Sequence, residues 1–124
     1  ATVIGIFEHQ YLNKKPLTVV KPGSQTRRFT HIYDTVQVCY NAFKADKCKN
    51  YSISNKNSYS IIDVANMFKS KIVFLKPRSG ERFASALTKI SYNNKIIQKY
   101  GRLQLKEYIS SFIKTCKLWK LKAH

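Results

Sequence analysis

Two adjacent arginines, Arg27 and Arg28, are the residues of this chain best placed to bind a ligand. They follow a Pro-Gly turn at residues 22–23 and lie shortly before an acidic residue, Asp34, where a helix is expected to begin. The guanidinium group carries a planar fork of N–H donors that matches the oxygens of a phosphate. The segment therefore suits an anion such as a diphosphate, and a solvated basic loop is the alternative that its composition leaves open.

A second arginine lies beside a turn at residues 77–81, which read Pro-Arg-Ser-Gly-Glu. If the fold brings Arg78 close to Arg27, the two side chains can clamp a diphosphate from two sides, and Phe29 can shape the wall of the pocket. Glu81 can accept hydrogen bonds from sugar or ribose hydroxyls, because an ionised carboxylate is only an acceptor. The alternative is a local salt bridge between Arg78 and Glu81, which would contribute at most ~1 kcal/mol.

The remaining residues do not assemble a catalytic or metal site. The three histidines and the three cysteines are widely spaced, and neither type forms a zinc pattern. No GxSxG, Walker or GxGxxG sequence occurs, so no motif for a bound dinucleotide is present. His31 alternates with Phe29 on a predicted strand and is interpreted as structural, and Cys39 falls at a predicted core position of a helix. Reduced thiols of this kind are typical of a cytoplasmic protein.

The chain has 124 residues, and its 23 Lys and Arg against six Asp and Glu give a net charge of +17. A charge this high makes nucleic acid the first partner to consider. The basic residues are mostly lysines spread along a chain rich in Asn and Ile, so we attribute the charge mainly to the drift of an AT-rich coding sequence. No apolar run approaches the ~20 residues that span a bilayer, and residues 1–7 lack the features of a signal peptide.

Strands alternate with helices along the chain, which indicates an α/β fold. Apolar periodicity and short β-branched runs locate the elements, and Ser60 with Asp63 predicts a capping box at the start of one helix. The predicted helices are 2–13, from Asp34 or Thr35 to Phe43, 61–68, 91–100 and 105–118. The predicted strands are 17–20, 28–32, 51–54 and 71–75, and residues 119–124 are expected to fray.

The order of these motifs resembles the C-terminal part of NAD-dependent epimerases and dehydratases. These are extended short-chain dehydrogenase/reductase enzymes acting on nucleotide sugars, and the UDP-glucose 4-epimerases are the nearest group. The family pattern is approximately G-x-Q-x-R-D-[FY]-[IVT]-[HY]-[IV]-x-D, followed later by R-x-G-[DE]. Residues 23–34 and 78–81 match the two halves in that order. The resemblance extends from the first helix to about Leu118.

The resemblance implies a substrate site made from both motifs. Arg27 takes the position of the family's arginine that contacts the diphosphate of a UDP-sugar, and Phe29 lines the same site. Arg78 takes the position of a second arginine that reaches phosphate. Glu81 corresponds to an acid that binds a ribose hydroxyl of the nucleotide. Val20 lies on the strand that resembles the one whose backbone meets the uracil.

One position departs from the family pattern, and the family's reaction machinery is missing. Arg28 stands where the family usually has Asp, which removes a structural acid interaction or marks a subfamily with a different sugar. The Gly-rich cofactor motif, the catalytic Ser or Thr and the Tyr-x-x-x-Lys pair belong to an N-terminal portion of the family. Tyr40 and Lys44 have the last spacing, but they follow the arginine motif and are interpreted as helix residues.

The sequence therefore predicts an α/β fold that is the C-terminal, substrate-binding portion of an extended Rossmann-type short-chain dehydrogenase/reductase, with the cofactor half absent. Residues 1–118 would form that portion and residues 119–124 a tail. We expect it to bind a UDP-sugar but, on its own, neither NAD nor a metal, and to have no catalytic residues.

In the intact enzyme, the missing N-terminal portion would bind NAD, and the enzyme would be a cytoplasmic homodimer without membrane contact. The alternative is a standalone basic module that binds nucleic acid or other anionic ligands. A separated substrate-binding portion would leave strand edges and apolar faces uncovered, which predicts marginal stability or aggregation.

Overall fold

The computed structural model describes residues 2–45, 53–55, 57–80 and 103–122 of the chain. Helices and strands alternate, so the predicted α/β class is confirmed. In chain order the elements are α1 (Val3–Leu12), β1 (Leu17–Val20), β2 (Thr26–Arg27), α2 (Ile32–Lys44), β3 (Tyr59–Ser60), α3 (Ile61–Met67), β4 (Ile72–Leu75) and α4 (Leu105–Lys122).

The described strands form two small sheets. β1 pairs in parallel with β4, in a register that places Leu17 opposite Ile72 and Val20 opposite Leu75. β2 pairs antiparallel with β3, with Thr26 opposite Ser60. The chain passes from the first sheet to the second through the Pro-Gly turn, where Gly23 has a φ of +81°, a left-handed conformation that glycine adopts without strain.

An aromatic cluster at the centre of the core joins three helices. The ring of Phe68, at the end of α3, lies 5.9 Å from that of Phe7 and 6.0 Å from that of Tyr11, both on α1. It also lies 6.2 Å from the ring of Phe112 on α4. Inward-facing aliphatic residues of β1 and α3 complete the buried core: Leu17, Val19, Ile61, Val64 and Ala65.

The first turn of α3 has the predicted capping box. The Asp63 backbone N–H donates to Ser60 Oγ at 3.1 Å, and the Ser60 backbone N–H donates to Asp63 Oδ2 at 3.4 Å. Two backbone N–H groups at the helix start are satisfied in this way, which fixes where β3 ends and α3 begins.

The side chain of Gln10, on α1, attaches this helix to the outer edge of β1. Its Nε2 donates to Thr18 Oγ1 at 2.8 Å, and its Oε1 accepts from the Thr18 backbone N–H at 3.1 Å. The backbone N–H groups on the other edge are directed toward β4. The Leu17 N–H donates to Lys71 O, and the N–H of Lys21, just after β1, donates to Leu75 O. Both edges of β1 therefore carry hydrogen bonds.

The prediction of a strand over residues 28–32 is wrong. His31 is the N-cap of α2, because its Nδ1 accepts from the Tyr33 backbone N–H at 3.0 Å, and the helix begins ahead of the predicted caps at residues 34–35. Residues 28–31 are irregular and bond to a neighbouring loop instead of a strand. Arg28 Nη1 donates to Asn55 O at 3.1 Å, and the Asn55 N–H donates to Thr30 Oγ1 at 2.8 Å.

Two further predictions need correction. Cys39 is exposed on α2 instead of lying in the core, because the buried side of that helix faces away from it. Residues 119–122 do not fray, since α4 continues to Lys122, four residues past its predicted end. Residues 53–54 are not in a strand. The rest of the predicted 51–54 strand and the predicted 91–100 helix lie outside the described residues.

None of the helices in the described ranges combines the length and apolar character needed to cross a membrane. The longest, α4, carries five exposed lysines and an acid in its first turn, and these charges interrupt its apolar residues: Lys106, Lys114, Lys117, Lys120, Lys122 and Glu107.

Candidate functional site

A cleft of about 460 Å³ opens at the carboxyl ends of β1 and β4. Its floor and walls come from the start of α1, the end of β1, the Pro-Gly turn with the residues after it, and the residues that follow β4. The lining residues are Thr2, Val3, Ile6, Phe7, Thr18, Val20, Gln25, Arg27, Arg28, Phe29, Ile61, Leu75 and Arg78.

Four of the five predicted site residues border this cleft: Val20, Arg27, Phe29 and Arg78. The fifth, Glu81, lies outside the described residues. The two arginine motifs are about fifty positions apart in the sequence, so their meeting at one cleft is a property of the fold. A clamp of one diphosphate between Arg27 and Arg78 stays a prediction.

The parallel pairing of β1 with β4 explains why the motifs meet. In a parallel pair the carboxyl ends of both strands lie at the same edge, which is where α/β sheets commonly bind ligands. Val20 ends β1 and Leu75 ends β4 directly opposite it. The chain leaving β4 reaches Arg78 three residues later, and the chain leaving β1 reaches Arg27 after the turn.

The two arginines of the cleft differ in how they are held. Arg27 is half-buried, and its Nη1 donates to the carbonyl of the preceding residue, Thr26, at 2.7 Å. Arg78 is exposed in the irregular segment after β4. One guanidinium is thus set against the protein backbone, and the other stands in solvent at the rim, where a bound anion can draw it inward.

Arg28, which departs from the family pattern, also borders the cleft and has a structural contact. Its Nη1 reaches Asn55 O at 3.1 Å, a residue distant in the sequence and buried in the neighbouring loop. Arg28 therefore ties the segment after β2 to residues 53–55. The side chain adds positive charge beside Arg27, and its hydrogen bond holds the segment after β2 against the loop at residues 53–55.

Phe29 connects the cleft to the core. It is half-buried and packs against the cluster that includes Phe7, which also lines the cleft. The wall of the cleft is therefore a surface of the core itself. A ring held in this way can shape the space next to Arg27, as predicted, although its contact with a ligand stays a prediction.

Gln25 was not assigned a role from the sequence, although it lies within the first motif. Its side chain is only 2% exposed, and its Nε2 donates to the Val20 carbonyl at 3.1 Å. Its backbone carbonyl accepts from the Ile61 N–H at 3.0 Å. Sequence reasoning missed it because a glutamine after a Pro-Gly turn is normally exposed, and only its position two residues before Arg27 could have drawn attention to it.

The start of α3 does not offer a site for the pyrophosphate of NAD. β3 runs directly into α3, and a helix start of this kind is where a dinucleotide's pyrophosphate would bind. Here the N–H groups of Ser60 and Asp63 are engaged by the capping box, and the Asp63 carboxylate would repel phosphate. Tyr40 and Lys44 lie on α2, with Lys44 Nζ 4.6 Å from the centre of the Tyr40 ring, and neither borders the cleft.

A metal site is likewise not formed by the part of the chain that the structure describes, in which no three His, Cys, Asp or Glu side chains cluster. Cys39 and Cys116 are free thiols there, one exposed and one buried. The guanidinium groups of Arg27, Arg28 and Arg78 beside an apolar wall suit the cleft to the binding of anions.

Proteins of similar structure are enzymes that act on nucleotide sugars. The UDP-glucuronic acid 4-epimerase of Bacillus cereus, solved with UDP-glucuronic acid and NAD, matches with a TM-score of 0.73 at 26% identity, over 95% of this chain and 40% of the epimerase. The UDP-glucose 4-epimerase of Thermotoga maritima, solved with UDP-glucose, has a TM-score of 0.73 at 18% identity, over 100% of this chain and 41% of that enzyme.

A curated relative is similar in sequence. UDP-glucuronic acid decarboxylase 6 of Arabidopsis thaliana is 31% identical over 70 residues, which are 56% of this chain and 20% of the decarboxylase. No protein-family model matches the chain. The chain thus spans about two fifths of the similar structures and a smaller part of the curated relative.

The fold is that of the NAD-dependent nucleotide-sugar epimerases and dehydratases, and it corresponds to a part of those enzymes. The resemblance predicted from the order of the two arginine motifs is confirmed. The roles of the individual residues in the cleft stay predictions.

Proposed function

We propose that this chain is the substrate-binding portion of an NAD-dependent nucleotide-sugar epimerase or dehydratase, and that its cleft binds the diphosphate of a UDP-sugar. The observation that carries the proposal is the meeting of Arg27 and Arg78 at one cleft, beside the end of β1. In this assignment the diphosphate lies between the two guanidinium groups, and the uracil lies toward Val20.

The charge and shape of the cleft support a diphosphate ligand. Hydrogen bonds from guanidinium to phosphate are charge-assisted and are roughly twice as strong as neutral ones. Arg27, Arg28 and Arg78 all border the cleft, while the apolar wall beside them includes Phe29 and Leu75. A nucleotide sugar has both features, since its diphosphate is anionic and its base and sugar rings have flat, weakly polar faces.

Glu81 belongs to the same proposal, as the acceptor for a ribose hydroxyl. It follows Gly80, the last described residue of the turn that begins after Arg78. Replacing Glu81 by Gln keeps an acceptor oxygen but removes the charge, so we expect a modest loss of affinity for UDP and none for inorganic pyrophosphate.

The activity of the whole enzyme is part of the proposal. We propose that residues outside this chain hold NAD and the catalytic groups in an intact, cytoplasmic, homodimeric enzyme, while this portion holds the sugar nucleotide. The solved enzymes of similar fold that contain both NAD and a UDP-sugar support this division of roles. Nucleic acid is not the proposed ligand.

Isothermal titration calorimetry with UDP-glucuronic acid, UDP-glucose, UMP and inorganic phosphate tests the proposal. We expect the UDP-sugars to bind more tightly than UMP or phosphate, because only they offer a diphosphate to both arginines. Arg27→Ala and Arg78→Ala should each weaken UDP-sugar binding about tenfold or more, since a hydrogen bond to a charged group contributes about 1.5–3 kcal/mol.

Lys114→Ala, an exposed position on α4 away from the cleft, is the matched control for loss of one positive charge. It should leave the affinity unchanged. Equal weakening by all three variants would mean that net charge alone attracts the ligand. Tight binding to any single-stranded DNA or RNA, with an affinity that falls steeply as salt rises, would instead favour the basic-module alternative.

A further inference from the structure

Gln25 lines the cleft and has a buried side-chain acceptor. The side chain is almost fully enclosed, and it is one of the lining residues. Its Oε1 accepts no hydrogen bond from the residues that the structure describes. Buried polar side-chain atoms in proteins are normally paired, so an orphan acceptor at the wall of a binding cleft points to a partner that arrives with the ligand.

The orientation of the amide follows from its surroundings. The Nε2 group donates to the Val20 carbonyl at 3.1 Å. Turning the amide over would set Oε1 against that carbonyl, which is also an acceptor, and would lose the bond. The amide nitrogen is therefore directed at the end of β1, and the oxygen is the atom that remains for another donor.

The position of Gln25 limits which part of a nucleotide it can meet. It lies two residues before Arg27 in the chain and is bonded to Val20. In the proposed function the diphosphate lies at Arg27 and the base lies toward Val20. The nucleoside lies between these points, and its hydrogen-bond donors are the N3–H of the uracil and the ribose hydroxyls.

We propose that Gln25 determines specificity in this cleft, by accepting a hydrogen bond through Oε1 from a donor of the ligand's nucleoside. The inference rests on the proposed function. A nucleoside without a donor at this point would leave Oε1 buried and unpaired, which disfavours its binding. The residue acts as a filter for the nucleoside, while the arginines act on the diphosphate.

Three diphosphates separate the possible donors, with binding measured by calorimetry. UDP has both donors. CDP lacks the N3–H, since its N3 is an acceptor, and 2′,3′-dideoxyuridine diphosphate lacks the ribose hydroxyls. We expect the wild-type chain to bind UDP at least about tenfold more tightly than one of the two analogues. The analogue that binds weakly identifies whether the base or the ribose supplies the donor.

Two substitutions isolate the acceptor. Gln25→Met has a similar length without an acceptor oxygen, whereas Gln25→Glu keeps acceptor oxygens, and both variants lose the amide donor to Val20. We therefore expect the preference for UDP to fall at least about fivefold in Gln25→Met and to persist in Gln25→Glu. The negative charge of Glu should weaken all three diphosphates together, so the ratio of affinities is the informative quantity.

The outcomes are distinct. If the wild type binds UDP but does not discriminate against either analogue, the inference is wrong while the proposed function stands. The same holds if Gln25→Met and Gln25→Glu lose the preference equally, since the Val20 bond would then be the cause. If the wild type binds none of the diphosphates, the proposed function fails and the inference fails with it. The comparison of UDP with its analogues on the wild-type chain can refute the inference even if Gln25→Met folds poorly.

Discussion

Arg27 and Arg28 are adjacent in the chain, but their side chains bond to different parts of the molecule. Arg27 Nη1 bonds to the residue before it, at the wall of the cleft, and Arg28 Nη1 bonds to Asn55 in another loop. The two adjacent arginines therefore have different structural roles, although the sequence shows them as one basic pair. Arg28 supports the segment on which Arg27 is presented.

We expect Arg28→Ala to lower the free energy of unfolding by about 1–2 kcal/mol, because the Asn55 carbonyl loses a charge-assisted hydrogen bond. Urea denaturation followed by circular dichroism measures this. Lys114→Ala, an exposed site on α4, is the control and should change the free energy of unfolding by less than ~0.5 kcal/mol. Equal effects of the two substitutions would show that Arg28 does not brace the loop.

Tyr108 on α4 joins that helix to α1. Its Oη donates to Glu8 Oε1 at 2.6 Å. The hydrogen bond to Glu8, followed by burial and the negative charge of the same carboxylate, raises the pKa of Tyr108 from 10.0 to about 12. The neutral phenol is favoured in the folded state because only the neutral form can donate to the carboxylate.

This pKa has a consequence for stability at high pH. A group whose pKa is higher in the folded state contributes its full stabilisation below its unfolded pKa and loses it as the pH rises through the folded pKa. The melting temperature should therefore fall between about pH 10 and pH 12. Glu8→Gln should shift the ultraviolet titration of Tyr108 toward 10 and reduce that fall, and an unchanged titration would contradict the role of Glu8.

At the scale of elements, helices and strands were predicted most accurately where caps, prolines or β-branched runs mark their ends and the pattern of apolar residues agrees with burial. The predicted α1, β1, α3 and β4 match the structure to within one residue at each end. The capping box of α3 depends on Ser60 and Asp63 alone, so it can be recognised from the sequence. These segments have caps, proline boundaries or β-branched runs that need no distant partner.

The failures arise where distant contacts decide the conformation. Residues 28–32 alternate in a way that favours a strand, but the bonds from Arg28 and to Thr30 lead into the 53–55 loop, and His31 starts a helix. The extra turn at the end of α4 follows no stop signal in the sequence, and its lysines are good helix formers. Neither outcome can be read from spacing alone.

The Pro-Gly turn between β1 and β2 can be tested with two glycines of the same conformation. Gly23 has a φ of +81° and Gly80 one of +79°. A Cβ on Gly23 would lie 3.1 Å from Val19 Cγ1 and 3.4 Å from Ile62 Cβ, whereas a Cβ on Gly80 would meet no atom of the described residues within 4 Å. The two sites thus share the backbone strain and differ in the space around them.

We expect Gly23→Ala to destabilise the fold by about 2–3 kcal/mol, from ~1–2 kcal/mol of left-handed strain together with the displacement of Val19. Gly80→Ala should cost only the strain, ~1–2 kcal/mol. Thermal and urea unfolding of the two variants measure the difference. If Gly80→Ala costs as much as Gly23→Ala, the close packing under the turn is not what requires glycine there.

At the scale of the whole molecule, the sequence predicted which residues belong to the candidate site but not where the site lies in the fold. The two arginine motifs predicted Arg27, Phe29, Arg78 and Glu81, and the strand before them predicted Val20. All of these except Glu81, which lies outside the described residues, border one cleft. What the sequence could not show is that β1 pairs with β4, because pairing between distant strands is not encoded in either strand. The burial of Gln25 depends on the same packing.

The molecule also exposes a stripe of large apolar side chains along α2. Its members recur at helical spacing and are 53–84% exposed: Ile32, Tyr33, Val36, Tyr40 and Phe43. Exposed apolar surface of this extent favours association. The net charge of +17 opposes association at low ionic strength, and salt screens that repulsion.

We therefore expect the chain to self-associate increasingly as salt rises from about 0.05 to 0.5 M, measured by sedimentation velocity. The double substitution Val36→Gln and Phe43→Gln should reduce association at high salt, because it interrupts the stripe. Lys44→Gln, which changes the charge of α2 but not the stripe, should not reduce it. Association that weakens with salt would show that charge, and not the apolar stripe, drives it.

Two glutamine side chains, those of Gln10 and Gln25, occupy the backbone hydrogen-bonding groups on the outer edge of β1. In the described sheet β1 has a strand partner on one side only, yet its outward Thr18 N–H is held by Gln10 Oε1 and its outward Val20 carbonyl by Gln25 Nε2. Two side-chain amides stand where a further strand would bond. The Thr18 amide hydrogen should therefore exchange slowly with deuterated solvent, and any strand that lengthens this sheet has to add beside β4.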